Sequence, residues 1–569
     1  MYFLALATDY DGTIADKEIV TAQTCGALQR FKDSGRRLIL VTGRELPDLR
    51  RLFPRMDLFD RVVAENGALL FNPADGEERL LAPPVPPAVA RRLREMNVAP
   101  LAVGRVIVST WEPHQQAALD VIRELGLELQ ISFNKGAVMI LPPNVNKASG
   151  LMAAIRELDL APQNVVAVGD AENDHAFLSA CGCSAAVANA LPVIKTEADI
   201  VLSGDHGVGV AELIDRVIRE DAGIASKADH GILAGVDRQG RDVHLEPYRG
   251  NVLIVGPSAC GKSTLATALS ERMADKKFEF CIVDPEGDYV ELEHAISIGN
   301  RETPPSLTEA IKLLDEVGVN LVVNLQALGL RERWTLFSTL LQQTAFLRAR
   351  TGRPHWLVID EAHEVLQKAH EGAIALLPPS GTVLITAYPQ ALARPILDTI
   401  DLVIALGDEP SATLAAVGRS MHLPLPASQV EAAGGEALFW TCRSGAASVP
   451  VPVRVGLPIQ AHRRHAGKYA VGDVGPARSF YFHNPLNGSM AKAENLFKFV
   501  DVAGTIDDVT WQRHLAAGDY SAWFRHVIKD GALADETARI EADRSLPSRD
   551  SRALVRQAIW QRYAAPCEA

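Results

Sequence analysis

Short apolar runs that end on polar turns and lead into helical patterns recur along most of this chain. They constrain its fold more than any other feature. In the first 220 residues or so the runs fall at 2–7, 37–41, 165–168 and 200–202. Runs of this length, apolar on both faces, suit the buried strands of a parallel sheet covered by helices. A second series begins near Gly223, with runs at 251–255, 280–283, 321–323, 356–359, 382–386 and 402–405, most of them separated by helical segments. The expectation is an α/β protein with two Rossmann-like parallel-sheet domains. At 569 residues the chain is longer than one hydrophobic core usually serves. The expected division is 1–222, 223–458, a polar and basic linker over 459–478, and a small helical domain over 479–569.

Two stretches depart from simple alternation. The proline-rich segment 81–87 (LAPPVPP) reads as a hinge, and strand signals at 105–109 and 138–141 bracket a helical pattern at 115–125. Residues from about 82 to 145 should therefore form a small α/β cap set into the first domain. In the tail, Asp508 should cap a helix bearing Trp511 and Leu515, and Tyr520, Trp523, Phe524 and Val527 should share one apolar helical face. These aromatics read as a small core rather than a ligand site.

Composition excludes some classes. No apolar run reaches the ~18–20 residues needed to span a bilayer. The opening run lacks a basic flank and runs directly into Asp9, so it reads as a strand rather than a signal peptide. The seven cysteines are scattered, without paired metal-ligand spacing, and are expected to be reduced thiols in a cytoplasmic protein with no membrane partner. A net charge of −13 argues against a surface built to coat nucleic acid, while leaving room for a few basic loops.

Four elements of the first domain belong together chemically. Asp9 and Asp11, in DYDGT, follow the first run. Two carboxylates at i, i+2 can face one pocket, where one attacks phosphorus and the other handles the leaving-group proton. Thr42, in VTGR, offers a hydroxyl to a phosphoryl oxygen. Lys147, in NKASG, offers an ammonium to charge building on that group. Gly169-Asp170-Ala171-Glu172-Asn173-Asp174 offers acids suited to Mg²⁺.

With these motifs and Glu65-Asn66-Gly67-Ala68, residues 1–220 resemble the haloacid dehalogenase superfamily, in its branch of Cof-type and sugar-phosphate phosphatases. The resemblance implies that Asp9 forms an aspartyl-phosphate and that Asp11 is general acid, then general base. It implies that Thr42 and Lys147 bind the phosphoryl group. Asp9, the backbone of Asp11 and Asp170 would hold Mg²⁺, with Asp174 in support and Asn173 near the phosphate. The cap would select the substrate, for which sugar phosphate, nucleotide and phosphorylated DNA end all stay open.

The second series carries its own phosphate chemistry. Gly256-Pro257-Ser258-Ala259-Cys260-Gly261-Lys262-Ser263 follows the run 251–255, and Leu265, Leu269 and Met273 then repeat every four residues. That is the strand–loop–helix setting of a P-loop, in which backbone N–H groups wrap phosphates, Lys262 reaches the β and γ phosphates, and Ser263, followed by Thr264, holds Mg²⁺. An apolar run ending in Asp360 and Glu361 supplies a carboxylate near the Mg²⁺ shell and a group to polarise water. With Asp284-Pro285-Glu286-Gly287-Asp288-Tyr289 and Thr386-Ala387-Tyr388-Pro389-Gln390, roughly 224–457 resembles the HerA/FtsK/VirB4 group of ATPases. That resemblance implies ATP as ligand, Gln390 as a γ-phosphate sensor, a homo-oligomeric ring such as a hexamer, and an arginine donated by a neighbouring subunit, for which Arg394 and Arg419 are candidates. HerA proteins carry a β-barrel before this core, and here only the short segment 231–248 stands in its place. The tail resembles helical segments appended to other bacterial phosphatases of the haloacid dehalogenase superfamily.

The functional expectation is a bifunctional hydrolase: a Mg²⁺-dependent phosphatase joined to an ATP-hydrolysing domain that regulates or positions it. The alternatives are a DNA-directed motor with a phosphatase effector, in DNA processing or phage defence, and an ATP-dependent assembly switch with little turnover.

Overall fold

Valine, isoleucine and leucine dominate the central strands, and every residue of Ala5–Thr8, Val165–Gly169 and Asn251–Val255 is buried. β-branched chains pack well between helix layers, and strands covered on both faces need no polar side. The computed structural model describes residues 1–224, 231–246, 250–258, 260–366, 377–423, 430, 432–433, 435–442, 448–458, 479–484, 488–528 and 530–563. The linker expected at 459–478 lies outside them. Two compact units result, Met1–Pro458 and Ile459–Ala569.

The first unit contains two large sheets. One runs in the order Ile200–Val201, Cys183–Ala186, Val165–Gly169, Ala5–Thr8, Arg37–Val41, Arg61–Ala64, Leu69–Phe71, Glu78–Leu80. It is parallel as far as Arg61–Ala64 and antiparallel beyond. The other is parallel from Ile400–Ala405 through Asn251–Val255, Thr382–Thr386, Trp356–Ile359, Phe280–Asp284 and Leu321–Asn324 to Ile296–Ile298. Glu436–Thr441, Val451–Val455 and the hairpin Ile232–Asp237/Asp242–Leu245 extend it antiparallel. The segment considered in place of a barrel is therefore a sheet edge. One hydrophobic cluster includes residues of both sheets, among them Leu6, Val168, Phe280 and Trp356.

Residues between 82 and 145 hold a separate sheet and two helices, more elements than the sequence signals there announce. The sheet has the order Ala102–Val103, Val108–Trp111, Ala137–Leu141, Gln130–Asn134, all antiparallel. The anticipated strand at 105–109 falls at Val108–Trp111 instead. A second helix, Pro87–Glu95, joins Gln115–Glu124, and Val89, Leu93 and Val121 are buried with Val108, Val138 and Ile140.

The tail unit is not wholly helical: Phe480–His483 pairs antiparallel with Met490–Ala493. The helix cap is Asp507, whose carboxylate accepts from Thr510 N, while Asp508 is the first residue inside. A π-helical turn, Phe524–Ile528, breaks the expected face, so Ile528 rather than Val527 is buried beside Tyr520, Trp523 and Phe524. Among the described residues no helix is long and apolar enough to cross a membrane.

Candidate active site

Three adjacent parallel strands of the first sheet, Val165–Gly169, Ala5–Thr8 and Arg37–Val41, end at Asp170, Asp9 and Thr42. Side chains at the carboxyl ends of neighbouring parallel strands share one crevice. Lys147 opens the helix Lys147–Glu157, fixed by a capping box between Asn146 and Ser149. Its buried ammonium donates to Asp9 Oδ1 and Asp174 Oδ1, each at 2.6 Å. Asp174 Oδ2 accepts from the backbone N–H groups of Asp170 and Ala171. Thr13 Oγ1 donates to Asp170 Oδ1 at 2.9 Å. The Thr42 hydroxyl is buried and accepts from Arg44 N at 3.2 Å.

Carboxylate oxygens of Asp9, Asp170 and Asp174 lie within 4.8 Å of one another, and all three residues are buried. Burial pushes the Asp9 carboxyl up to about 8 against the pull of Lys147, and burial likewise raises Asp170. Burial opposes the charge on Lys147, but Asp174 and Asp9 outweigh it and hold its pKa above the usual range. So many buried acids against so few ammonium groups make a donor set suited to a divalent oxygen-seeking cation. The side-chain oxygen of Asn173 is buried without a partner at this mouth.

Asp11 does not join the cluster through its side chain. Arg44 holds that carboxylate at both oxygens, Nε to Oδ2 and Nη2 to Oδ1, each at 2.7 Å. Its backbone carbonyl does face the cluster, accepting from Lys135 Nζ at 3.1 Å.

Arg44, Glu65 and Lys135 were not anticipated as working parts of the site. Glu65 accepts the backbone N–H groups of Arg105, Val106 and Ile107 and so fastens the cap to the core. Its clamp partners lie about forty residues away, so no local spacing announces it. Gly67 explains the rest of that motif: its φ is +102°, and a Cβ there would collide with Asn146 O, the cap residue of the Lys147 helix.

In the second sheet the described loop residues 256–258 and 260–261 lie between Asn251–Val255 and the helix Lys262–Asp275. Gly261 has φ +96°, and a Cβ on Gly256 would meet Leu406 O and Cys260 Sγ. Lys262 is buried and donates to the carbonyls of Gly256 and Pro257, at 3.0 and 2.9 Å. Ser263 Oγ lies 3.4 Å from Asp360 Oδ2, and Thr264 follows it, half-buried. Glu361 sits at φ 41°, ψ 47°, its Oε2 3.3 Å from His363 Nδ1. Asp284 caps its own loop, accepting from the N–H groups of Gly287, Asp288 and Tyr289, and burial pushes its carboxyl up to about 7. Gln390 is exposed. Arg394 pairs with Asp398 on its own short helix, and Arg419 is exposed.

The fold is thus an α/β domain whose parallel sheet carries a buried acid–lysine cluster at its strand ends. A model of the haloacid dehalogenase-like hydrolases matches residues 6–96 and 106–214. A phosphoglycolate phosphatase of Methanothermobacter thermautotrophicus is 31% identical over 221 residues, covering 37% of this chain and 97% of that protein. Phosphoglycolate phosphatase 2 of Saccharolobus solfataricus is 28% identical over 225 residues, covering 39% and 94%. A crystal structure of a haloacid dehalogenase-like hydrolase from Bacteroides thetaiotaomicron aligns over 37% of this chain and 98% of its own, at 19% identity and a TM-score of 0.33. The chain belongs to the haloacid dehalogenase-like hydrolases, through its first 220 residues or so.

Proposed function

We propose that residues 1–222 form a Mg²⁺-dependent phosphatase of small phosphomonoesters that works through an aspartyl-phosphate on Asp9. The observation that carries this reading is Lys147 bridging Asp9 and Asp174 at 2.6 Å beside Asp170. An Asp9 oxygen attacks phosphorus, the ester P–O bond breaks, and Asp11, once released from Arg44, protonates the departing oxygen. Asp11 then takes a proton from the water that hydrolyses the aspartyl-phosphate. Lys147 neutralises charge on the phosphoryl oxygens, and the Thr42 hydroxyl orients them. Asp9, the Asp11 carbonyl and Asp170 would hold Mg²⁺, with Asp174 anchoring them; the ion would screen nucleophile from phosphate.

The relatives' names make phosphoglycolate the first substrate to test. Limited room beside Thr42 supports a small substrate: a single Cβ added to Gly43 would already lie 3.6 Å from Met139 Sδ of the cap. Phosphate release should be followed across phosphoglycolate, sugar phosphates and nucleotides, with Asp9→Asn as the blank. The expected result is turnover on a small phosphomonoester that falls on the order of a thousandfold in the variant. Equal turnover by the variant would sink the reading.

For the second region we propose nucleoside triphosphate hydrolysis, with Lys262 on the phosphates, Ser263 and Asp360 on Mg²⁺, and Glu361 beside the attacking water. The proximity of Ser263 to Asp360 favours it. ATP turnover that Lys262→Ala abolishes is expected. Turnover unchanged in that variant would refute the assignment, and strong stimulation by duplex DNA would favour the motor alternative.

A further inference from the structure

The turn between the cap strands Gln130–Asn134 and Ala137–Leu141 carries Lys135 over the acidic cluster. Lys135 and Gly136 both have positive φ, +48° and +86°, which turns the chain sharply at that point. The ammonium of Lys135 lies 2.6 Å from Asp170 Oδ2 and 3.1 Å from the Asp11 carbonyl. These are two of the oxygens assigned above to the divalent cation. Directly beneath is Gly12, with φ +87°; a Cβ there would collide with both Lys135 Nζ and Asp170 Oδ2. The floor of the site is thus bare where the ammonium sits.

A lysine ammonium and a divalent cation cannot share these oxygens. Two cations a few ångströms apart repel strongly in a partly dehydrated pocket. Yet the cluster needs positive charge. Lys147 pairs with Asp9 and Asp174, so without Lys135 the third buried carboxylate, Asp170, would lack an ammonium partner, and unpaired buried charge is costly. The side chain of Lys135 is 44% exposed, so it has a route outward when the site is filled otherwise.

We propose that Lys135 is a counter-cation borne by the cap, which takes the position of the divalent ion when none is bound and must leave for the ion to enter. Contact of this turn with the core and loading of the metal then oppose one another. The proposal rests on reading Asp9, Asp170 and the Asp11 carbonyl as the cation site, so the experiment contains a separate check of that reading.

The test is Mn²⁺ binding to the full chain without substrate, measured by electron paramagnetic resonance of the free ion. Wild type, Lys135→Ala, Lys135→Arg and Asp170→Asn are compared, with circular dichroism to confirm folding. Lys135→Ala should bind Mn²⁺ about tenfold more tightly than wild type. Lys135→Arg, which keeps the charge, should stay near wild type, and Asp170→Asn should bind at least about tenfold more weakly. Unchanged or weaker binding by Lys135→Ala, with Asp170→Asn weakened, overturns the proposal and leaves the cation site standing. Unchanged binding by Asp170→Asn overturns the site and the proposal together. Lys135→Gln offers the same neutralisation with more of the original bulk, should the alanine variant fold poorly.

Discussion

At the scale of single residues, the site divides by how far apart its partners lie in sequence. Asp9, Thr42, Lys147, Asp170 and Asp174 were legible because each stands at a strand end or helix start, where an apolar run stops. The site contacts of Arg44, Glu65 and Lys135 were not legible: Arg44 reaches Asp11 33 residues away, Glu65 reaches Arg105 40 away and Lys135 reaches Asp170 35 away, and only the folded sheet and cap bring them together. Glu65 gives the clearest consequence. Glu65→Ala would strand three cap N–H groups that now share a carboxylate. A loss of about 3 kcal/mol is expected in denaturant unfolding of the first unit, together with faster proteolysis in the hinge at 81–87. A variant as stable and as resistant as wild type would show that the clamp does not hold the cap.

At the scale of elements, the buried central strands could be read from sequence and the half-exposed ones could not. Runs such as 37–41 and 251–255 are apolar after their first residue, Arg37 or Asn251, and matched the strands found. Gln130–Asn134 is only partly buried and alternates over just five positions with two apolar side chains, Ile131 and Phe133, a weaker signal than a continuous apolar run. In the tail, one extra residue in a π turn moves Ile528 inward, and nothing in a 3.6-residue period announces that change. The loop around Gly67 offers an element-scale test. Gly67→Ala places a Cβ at φ +102° against the carbonyl that caps the Lys147 helix. The helix start should shift and carry Lys147 with it. Phosphatase kcat is expected to fall at least about tenfold, with a smaller effect on substrate KM, in steady-state kinetics. Wild-type kcat would contradict the link.

At the scale of the whole molecule, the two large sheets share a buried polar seam that was not visible in the sequence. The strands ending at Asp170 and Asp360 both begin beside it. His355, just before Trp356–Ile359, accepts Glu279 N–H at Nδ1 and faces Asn164 Oδ1 with Nε2, while Asn164 also donates to Tyr2 O. Arg353 is fully buried and donates to Asp159 O and Asp315 O and to Glu279. Burial pushes His355 down to about 3, with Arg348 and Arg353 adding to the effect. The ring therefore stays neutral when folded and takes a proton when unfolded, below about pH 6.5. The stability it contributes is complete above that pH and is lost as pH falls toward 3, by about 1.4 kcal/mol per unit at most. Thermal melts at pH 5.5 and 7.5 should show a smaller difference between the two pH values in His355→Asn than in wild type. An equal difference would mean that the histidine is not held neutral.

The central claim is that Asp9 is the nucleophile. The most direct test is to quench the full chain with acid during turnover of phosphoglycolate with Mg²⁺, reduce with borohydride and map the modified residue by mass spectrometry. The account predicts a reduced Asp9, its carboxyl converted to an alcohol, absent without substrate and absent in Asp9→Asn. Turnover of the same substrate with Asp9 unmodified, or with the label on another residue, would contradict it.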